Sequence, residues 1–276
     1  MIVQIFNFLL TILISISLVC APALFFGIAD EVCVSVPADE TERLLYIQEI
    51  MKVVEGGLAH HQEKIDVGGF RCDLKTFDRA VSLIFFDDPL NAFHLHQYKT
   101  ISWMGVYVQY IIPSYWDEKQ IQYIDAEIEK IVATMDSQMS DLDKVIWIND
   151  YICSNFAYDN RLISDDVLDM LSTGNGICSA YMQMFKLMAD KAGLKSSFAI
   201  SYTMGHVWNI VQVDGSWYNI DITWNDQLHT CYISSDNAMI NFHRGMRGSK
   251  ETIQFVECPD TRYDSVRLSK RKDDEE

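Results

Sequence analysis

The sequence is poor in basic residues, in proline and in glycine. Lys and Arg together number 22 against 39 Asp and Glu, which gives a formal net charge of −17. Because nucleic acids and anionic lipid surfaces bind through clustered Lys and Arg, this charge argues against both as the main ligand. With only 5 Pro and 13 Gly in 276 residues, and with no internal repeat or low-complexity stretch, the sequence has no long linker that would separate domains sharply.

The first 29 residues have the composition of a targeting segment. No charged side chain occurs between Ile2 and Ala29. The apolar run from Ile5 to Cys20 is typical of a signal peptide, and small residues around Ala23 and Ala29 offer cleavage positions. The whole uncharged stretch is also long enough to span a bilayer, although Pro22 interrupts it. We therefore expect residues 1–29 to be a signal peptide or an N-terminal membrane anchor, with the rest of the chain secreted or extracytoplasmic.

The cysteines and histidines do not form a recognisable metal or redox motif. No two of the seven cysteines have CxxC spacing. An oxidising compartment permits disulfides, but the pairing cannot be deduced from spacing. Six cysteines follow residue 29. If Cys178 stays reduced, five are left, so at least one other thiol is also unpaired. The pairs His60-His61 and His94/His96 have no acidic or thiol partner at ligand spacing. We expect no metal and no other cofactor.

Hydrophobic periodicity predicts an α+β fold, with helices first and an antiparallel sheet later. Residues 30–117 are expected to form an N-terminal α/β region and residues 118–276 a catalytic domain. Gly56-Gly57 is expected to end the first helix, and Asp141 to cap the fourth. The predicted helices cover Asp39–Gly56, Thr76–Phe86, Asp117–Met135 and Asp141–Phe156, and the first predicted strands cover Tyr98–Trp103 and Val106–Ile112.

A further predicted helix begins immediately after the glycine-rich turn Gly174-Asn175-Gly176. Apolar residues recur every three or four positions from Ile177 to Ala192, and Gly193 follows. Cys178 therefore lies in the first turn, where backbone N–H groups and the helix dipole favour a thiolate. Gly176 leaves room there for a substrate. Taken alone, a helical cysteine beside an apolar stripe is more often a buried structural residue.

The dipeptide Asp214-Gly215 predicts a β-hairpin with a two-residue type I′ turn. In that register Trp208 faces Asp221 and His206 faces Thr223, and all four side chains project from one face of the sheet. His206 and Asp221 are then diagonal neighbours, about 7–8 Å apart at the backbone, a gap that their side chains can bridge. A register slip of one residue would move Asp221 to the other face.

Cys178, His206 and Asp221 together fit the roles of nucleophile, base and orienting group. His206 would take the thiol proton and later protonate a leaving amine, while Asp221 would fix the imidazole tautomer. Trp208, on the same face, would wall the site or stack on a substrate. Each residue alone has an ordinary structural interpretation, so the prediction depends on the combination.

The same residues resemble the core of the transglutaminase-like superfamily, above all its secreted bacterial branch. The resemblance implies a papain-like fold in which the cysteine helix packs on an antiparallel sheet that carries His and Asp. It implies Cys178, His206 and Asp221 as a catalytic triad, with Tyr181 near the substrate. The implied reaction is thioester formation at a carboxamide or peptide carbonyl, followed by hydrolysis or transfer to an amine. The matching segments are Gly174–Cys178 with Tyr181, Gly205–Asn209 and Asp214–Asp226.

Two functional hypotheses remain open at the level of sequence. The first is an extracytoplasmic cysteine hydrolase or acyltransferase that acts on a protein or peptide, with cell-wall peptide among the candidates. The second is a non-catalytic surface protein that binds peptide or cell-wall components with the same fold. Three positions differ from the residues usual in relatives, which bears on substrate choice: Ala180 replaces Gly, Val207 replaces Ala and Asn149 replaces His. Membrane contact is expected only through the N-terminal segment.

Overall fold

The computed structural model describes residues 40–70, 76–77, 80–81, 84, 94–102, 106–201, 204–242, 252–254 and 256–270. The predicted targeting segment, Cys33 and Cys72 lie outside these residues. Among the helices in the described part of the chain, none is both long and apolar enough to cross a membrane.

The N-terminal part combines a long helix with a small antiparallel sheet of order β1-β3-β2. The prediction that Gly56-Gly57 ends the first helix is wrong, because the helix continues to Ala59. A Cβ on Gly57 would come within 2.5 Å of the Ile65 side chain, so glycine lets the following strand pack closely against this helix. The elements are α1 (Glu40–Ala59), β1 (Ile65–Asp66), a 3-10 turn (Gly68–Phe70), β2 (His94–Ser102) and β3 (Val106–Ser114).

The described residues of the second predicted helix, which include Phe77 and Ile84, are helical. The predicted cap of the fourth helix is displaced by one residue. Ser140, not Asp141, is the N-cap, because its hydroxyl accepts the Asp143 N–H at 3.2 Å while the Asp143 carboxylate accepts from Ser140. The middle of the chain contains α2 (Glu118–Val132), α3 (Asp141–Asn155), β4 (Ala157–Tyr158), α4 (Val167–Thr173) and β5 (Asn175–Gly176).

The predicted hairpin is present in the predicted register. Val213 pairs with Ser216, and both turn residues have positive φ, 50° for Asp214 and 86° for Gly215, as a type I′ turn requires. The hairpin belongs to a four-stranded antiparallel sheet of order β10-β6-β7-β8. Its neighbourhood contains α5 (Cys178–Lys191), β6 (Ser196–Ser201), β7 (His206–Val213), β8 (Ser216–Ile220), α6 (Ile222–Gln227), β9 (Thr230–Cys231), α7 (Asp236–Phe242), β10 (Thr252–Gln254) and β11 (Ser269–Lys270).

Helix α5 is the central helix of the core, with every residue from Ala180 to Ala189 buried. One side packs with α2, α3 and the hairpin strands, and Met182 joins Phe198 and Val207 in a second cluster. That second cluster also contains Ile65 and Ile111 from the N-terminal sheet, so the two predicted regions share buried side chains. Asn209 further ties strand β7 to this helix by donating to the Met182 carbonyl at 3.1 Å.

Candidate active site

Cys178 is the first residue of helix α5 and is half-buried. Ile177 before it has an extended backbone (φ −95°, ψ −177°) and supplies no side-chain cap. The Ile177 N–H donates to the Ser164 carbonyl at 2.9 Å, which fixes the path of the chain into the helix. The first-turn N–H groups of this helix carry partial positive charge.

His206 begins strand β7 directly after Gly205, whose φ of 58° marks a left-handed turn. Its side chain is 10% exposed, and its Nε2 lies 2.6 Å from Oδ2 of Asp221. Burial alone lowers the pKa of His206, but the Asp221 carboxylate and then the Cys178 side chain outweigh this effect and raise that pKa to about 10. The contact with Asp221 therefore favours the protonated form of the imidazole.

Asp221 is buried and occupies the N-cap of helix α6. Its Oδ1 accepts the Trp224 N–H at 3.1 Å, while Oδ2 faces His206. Because each oxygen has a separate partner, the carboxylate cannot rotate without losing either the helix cap or the imidazole contact. Asp221 thus both caps the helix that follows the hairpin and orients the His206 imidazole.

The Cys178 side chain lies near enough to His206 to raise the pKa of the imidazole, and Asp221 faces the same ring, so the three predicted side chains meet at one place. With Asp221 on Nε2, the remaining imidazole nitrogen, Nδ1, is the one available to the thiol. The arrangement can hold a thiolate–imidazolium pair, and the pair is oriented by a carboxylate that is itself fixed by a helix cap.

The structure places the other three predicted site residues in the packed interior. Trp208 is 2% exposed, stacks on the His206 ring at 5.9 Å and donates its Nε1–H to Asn219 at 2.8 Å. Tyr181 is 1% exposed, and its hydroxyl donates to Asp226 at 2.7 Å. A Cβ on Gly176 would lie 2.9 Å from the Ala180 Cβ. These contacts show how each residue supports the local structure, and the substrate-binding role predicted for them stays a prediction.

Two features near the site are not apparent from sequence spacing alone. Tyr158 pairs with Gly176 in a short parallel ladder, and burial, followed by Cys178 and Asp159, raises the pKa of its phenol. A neutral phenol therefore lies close to the thiol. The ladder joins strands β4 and β5, which lie 17 residues apart in sequence and are only two residues long, so no periodicity identifies it.

A buried pair of asparagine side chains, Asn149 on helix α3 and Asn225 on helix α6, holds helix α6 in place. Asn225 donates to Oδ1 of Asn149 at 2.8 Å, and Asn149 donates to the Thr230 carbonyl at 3.0 Å. Asn225 also accepts the Tyr232 N–H at 3.1 Å. The helix that Asp221 caps is therefore held to helix α3 and to the segment at strand β9 by buried polar contacts.

A cavity of about 610 Å³ lies beside Asp221, on the side of α6 and α7. Its lining includes Asn219, Tyr232 and Asp264 but neither Cys178 nor His206. In the described part of the chain, three aspartates lie close enough together to bind a cation. Carboxylate oxygens of Asp165, Asp166 and Asp169 lie within 4.8 Å of one another.

Fold and site together define a papain-like α+β core, with a cysteine at a helix N-terminus packed on an antiparallel sheet that carries His and Asp. Residues 129–222 match the sequence model of the transglutaminase-like superfamily. This segment is therefore similar to a transglutaminase-like core, and the predicted resemblance is confirmed over these residues, which include all three side chains.

Two curated relatives match part of the chain. Kyphoscoliosis peptidase of Mus musculus is 29% identical over 111 residues, which cover 32% of this chain and 16% of the relative. The Homo sapiens protein of the same name is 28% identical over the same shares. The chain thus spans 16% of the length of these relatives. A crystal structure of a TGase has a TM-score of 0.36 at 14% identity and covers 48% of this chain and 44% of its own.

Proposed function

We propose that this chain is an extracytoplasmic cysteine enzyme that transfers acyl groups from amides, with Cys178 as nucleophile, His206 as acid and base, and Asp221 as the group that orients His206. The observation that carries the proposal is a cysteine at a helix N-terminus near His206, whose Nε2 lies 2.6 Å from the Asp221 carboxylate. The match to the transglutaminase-like core supports it.

The proposed first step forms a thioester and releases an amine. The Cys178 thiolate attacks the carbonyl carbon of a carboxamide or peptide bond, and the developing oxyanion faces the N–H groups of the first turn of α5. The C–N bond then breaks as the His206 imidazolium gives its proton to the leaving nitrogen. Ammonia or an amine departs, and His206 is left neutral.

The second step restores the enzyme. Neutral His206 takes a proton from water or from an acceptor amine, whose oxygen or nitrogen attacks the thioester carbonyl. The carbon–sulfur bond breaks, and the thiolate and imidazolium re-form. Water gives hydrolysis, as in a peptidase or deamidase, and an amine gives a crosslink. The name of the curated relatives, kyphoscoliosis peptidase, favours peptide substrates.

The test is incubation of the purified chain with a glutamine-containing peptide library and a biotinylated amine, followed by mass spectrometry of peptides and intact protein. Deamidated, cleaved or amine-linked peptides, together with an acyl adduct on Cys178, would support the proposal if Cys178→Ala abolishes them. Products that persist in Cys178→Ala, or the absence of every product and adduct, would contradict it and favour a binding role.

A further inference from the structure

The segment from Asp159 to Ser164, here the 159–164 loop, is bound at both ends to the chain that leads into Cys178. At its start, the Asp159 N–H donates to the Gly176 carbonyl at 2.9 Å. At its end, the Ser164 carbonyl accepts the Ile177 N–H at 2.9 Å. Since Gly176 and Ile177 directly precede Cys178, the loop lies beside the thiol.

The loop is held in one conformation by the Asp159 carboxylate, which is 3% exposed. Its Oδ1 accepts the N–H and the Nε–H of Arg161 at 3.0 and 2.9 Å. Its Oδ2 accepts the N–H groups of Ile163 and Ser164 at 3.3 and 3.2 Å. The Arg161 hydrogen bond holds the pKa of Asp159 well below its usual range. A charged, buried acceptor of this kind fixes the backbone around it.

At the tip of this fixed loop, Leu162 and Ile163 are exposed. Their exposed fractions, 64% and 65%, are the highest among the large hydrophobic residues of the described chain. Leu162 also has a φ of 56°, a left-handed conformation that is strained for a residue with a Cβ. Adjacent exposed apolar side chains and backbone strain do not stabilise the fold, and their occurrence together on a fixed loop is typical of binding sites.

We propose that Leu162 and Ile163 form an apolar subsite for the acyl donor, which takes an aliphatic or aromatic side chain of a peptide near the scissile carbonyl. The inference rests on the proposed function. A reacting carbonyl must lie about 3–3.5 Å from the Cys178 Sγ. An extended peptide advances about 3.3 Å per residue, so a side chain within a few residues of that carbonyl reaches a loop bound to Gly176 and Ile177.

The test uses peptidyl vinyl sulfones, which alkylate a reactive cysteine, with Leu at one of the three positions nearest the electrophile or Gly at all three. We expect at least one Leu probe to label Cys178 about tenfold faster than the all-Gly probe. In Leu162→Ser/Ile163→Ser this preference should fall to about twofold or less, because the apolar surface is lost. Leu162→Met/Ile163→Met should retain it.

Two controls separate the subsite from the chemistry and from folding. Leu45→Ser removes another exposed aliphatic side chain, 58% exposed on helix α1, and should keep the preference. Iodoacetamide is too small to reach the subsite, so its reaction with Cys178 should be the same in all variants.

No Leu preference in the wild type, or a preference that survives the double Ser variant, would overturn the subsite while Cys178 still reacts with iodoacetamide. Failure of that reaction would instead overturn the proposed function. A change in sedimentation mass in the double Ser variant would assign the loop to a contact between two copies of the chain, which also overturns the subsite.

Discussion

Asp221 contacts His206 and also caps the helix that follows strand β8. Its Oδ2 lies 2.6 Å from the imidazole Nε2, while its Oδ1 caps the helix that follows the hairpin. The N-cap of helix α6, which directly follows strand β8, therefore also sets the orientation of the His206 imidazole. A change at Asp221 should alter His206 even where the rest of the sheet is intact.

Asp221→Asn should lower the pKa of His206, because the amide keeps the shape of the side chain but removes the negative charge that favours imidazolium. The measurement is an NMR titration of the His206 ring. Asp214→Asn is the matched control, since Asp214 is exposed in the hairpin turn, where Asn is equally suited. An unchanged His206 pKa in Asp221→Asn would contradict the charge coupling.

His206 should also make stability depend on pH. Its pKa in the folded chain, about 10, lies above the ordinary value of 6.5. The stabilising contribution is therefore fully present below about pH 6.5 and is lost as pH rises through about 10. Urea unfolding of the wild type and of His206→Gln should show a free-energy difference that shrinks over this window. A difference that is constant with pH, or that grows, would refute the raised pKa.

Asn149→Ala should destabilise the chain by about 2–3 kcal/mol, because it removes two buried hydrogen bonds, one with Asn225 and one with the Thr230 carbonyl. Asn149 is 0% exposed and sits at the centre of the amide network. Asn155→Ala, on the exposed end of the same helix, should cost about 0.5 kcal/mol or less. Denaturant titration compares the two, and equal losses would show that the network does not hold helix α6.

Gly176→Ala should destabilise by about 1–3 kcal/mol and displace the turn before Cys178. The added Cβ would lie 2.9 Å from Ala180 and 3.1 Å from the Met170 sulfur. Gly56→Ala should have the opposite sign, with a gain of about 0.5–1 kcal/mol, because that helix position is open. Thermal unfolding measures both, and a neutral Gly176→Ala would mean that the turn can adjust at no cost.

The parts of the fold that follow from local chemistry were predictable. Asp214-Gly215 fixed the register between strands β7 and β8, and the apolar stripe after Gly176 placed Cys178 at the start of its helix. The helix end at Gly56-Gly57 does not follow from local chemistry, because the helix continues to Ala59 and Gly57 lets Ile65 pack closely against it. The conformation of the 159–164 loop depends on one buried carboxylate, that of Asp159. The Asn149–Asn225 pair joins residues that are distant in sequence. No spacing rule predicts either feature.

The most direct test of the central claim is alkylation of the purified chain with iodoacetamide at about pH 6, where ordinary thiols are mostly protonated. Labelling is mapped by mass spectrometry, with the buried thiols of Cys153, Cys231 and Cys258 as internal references. We expect Cys178 to react fastest, and its rate to fall by about a hundredfold in His206→Ala. Slow labelling of Cys178 that His206→Ala leaves unchanged would contradict a working Cys–His pair.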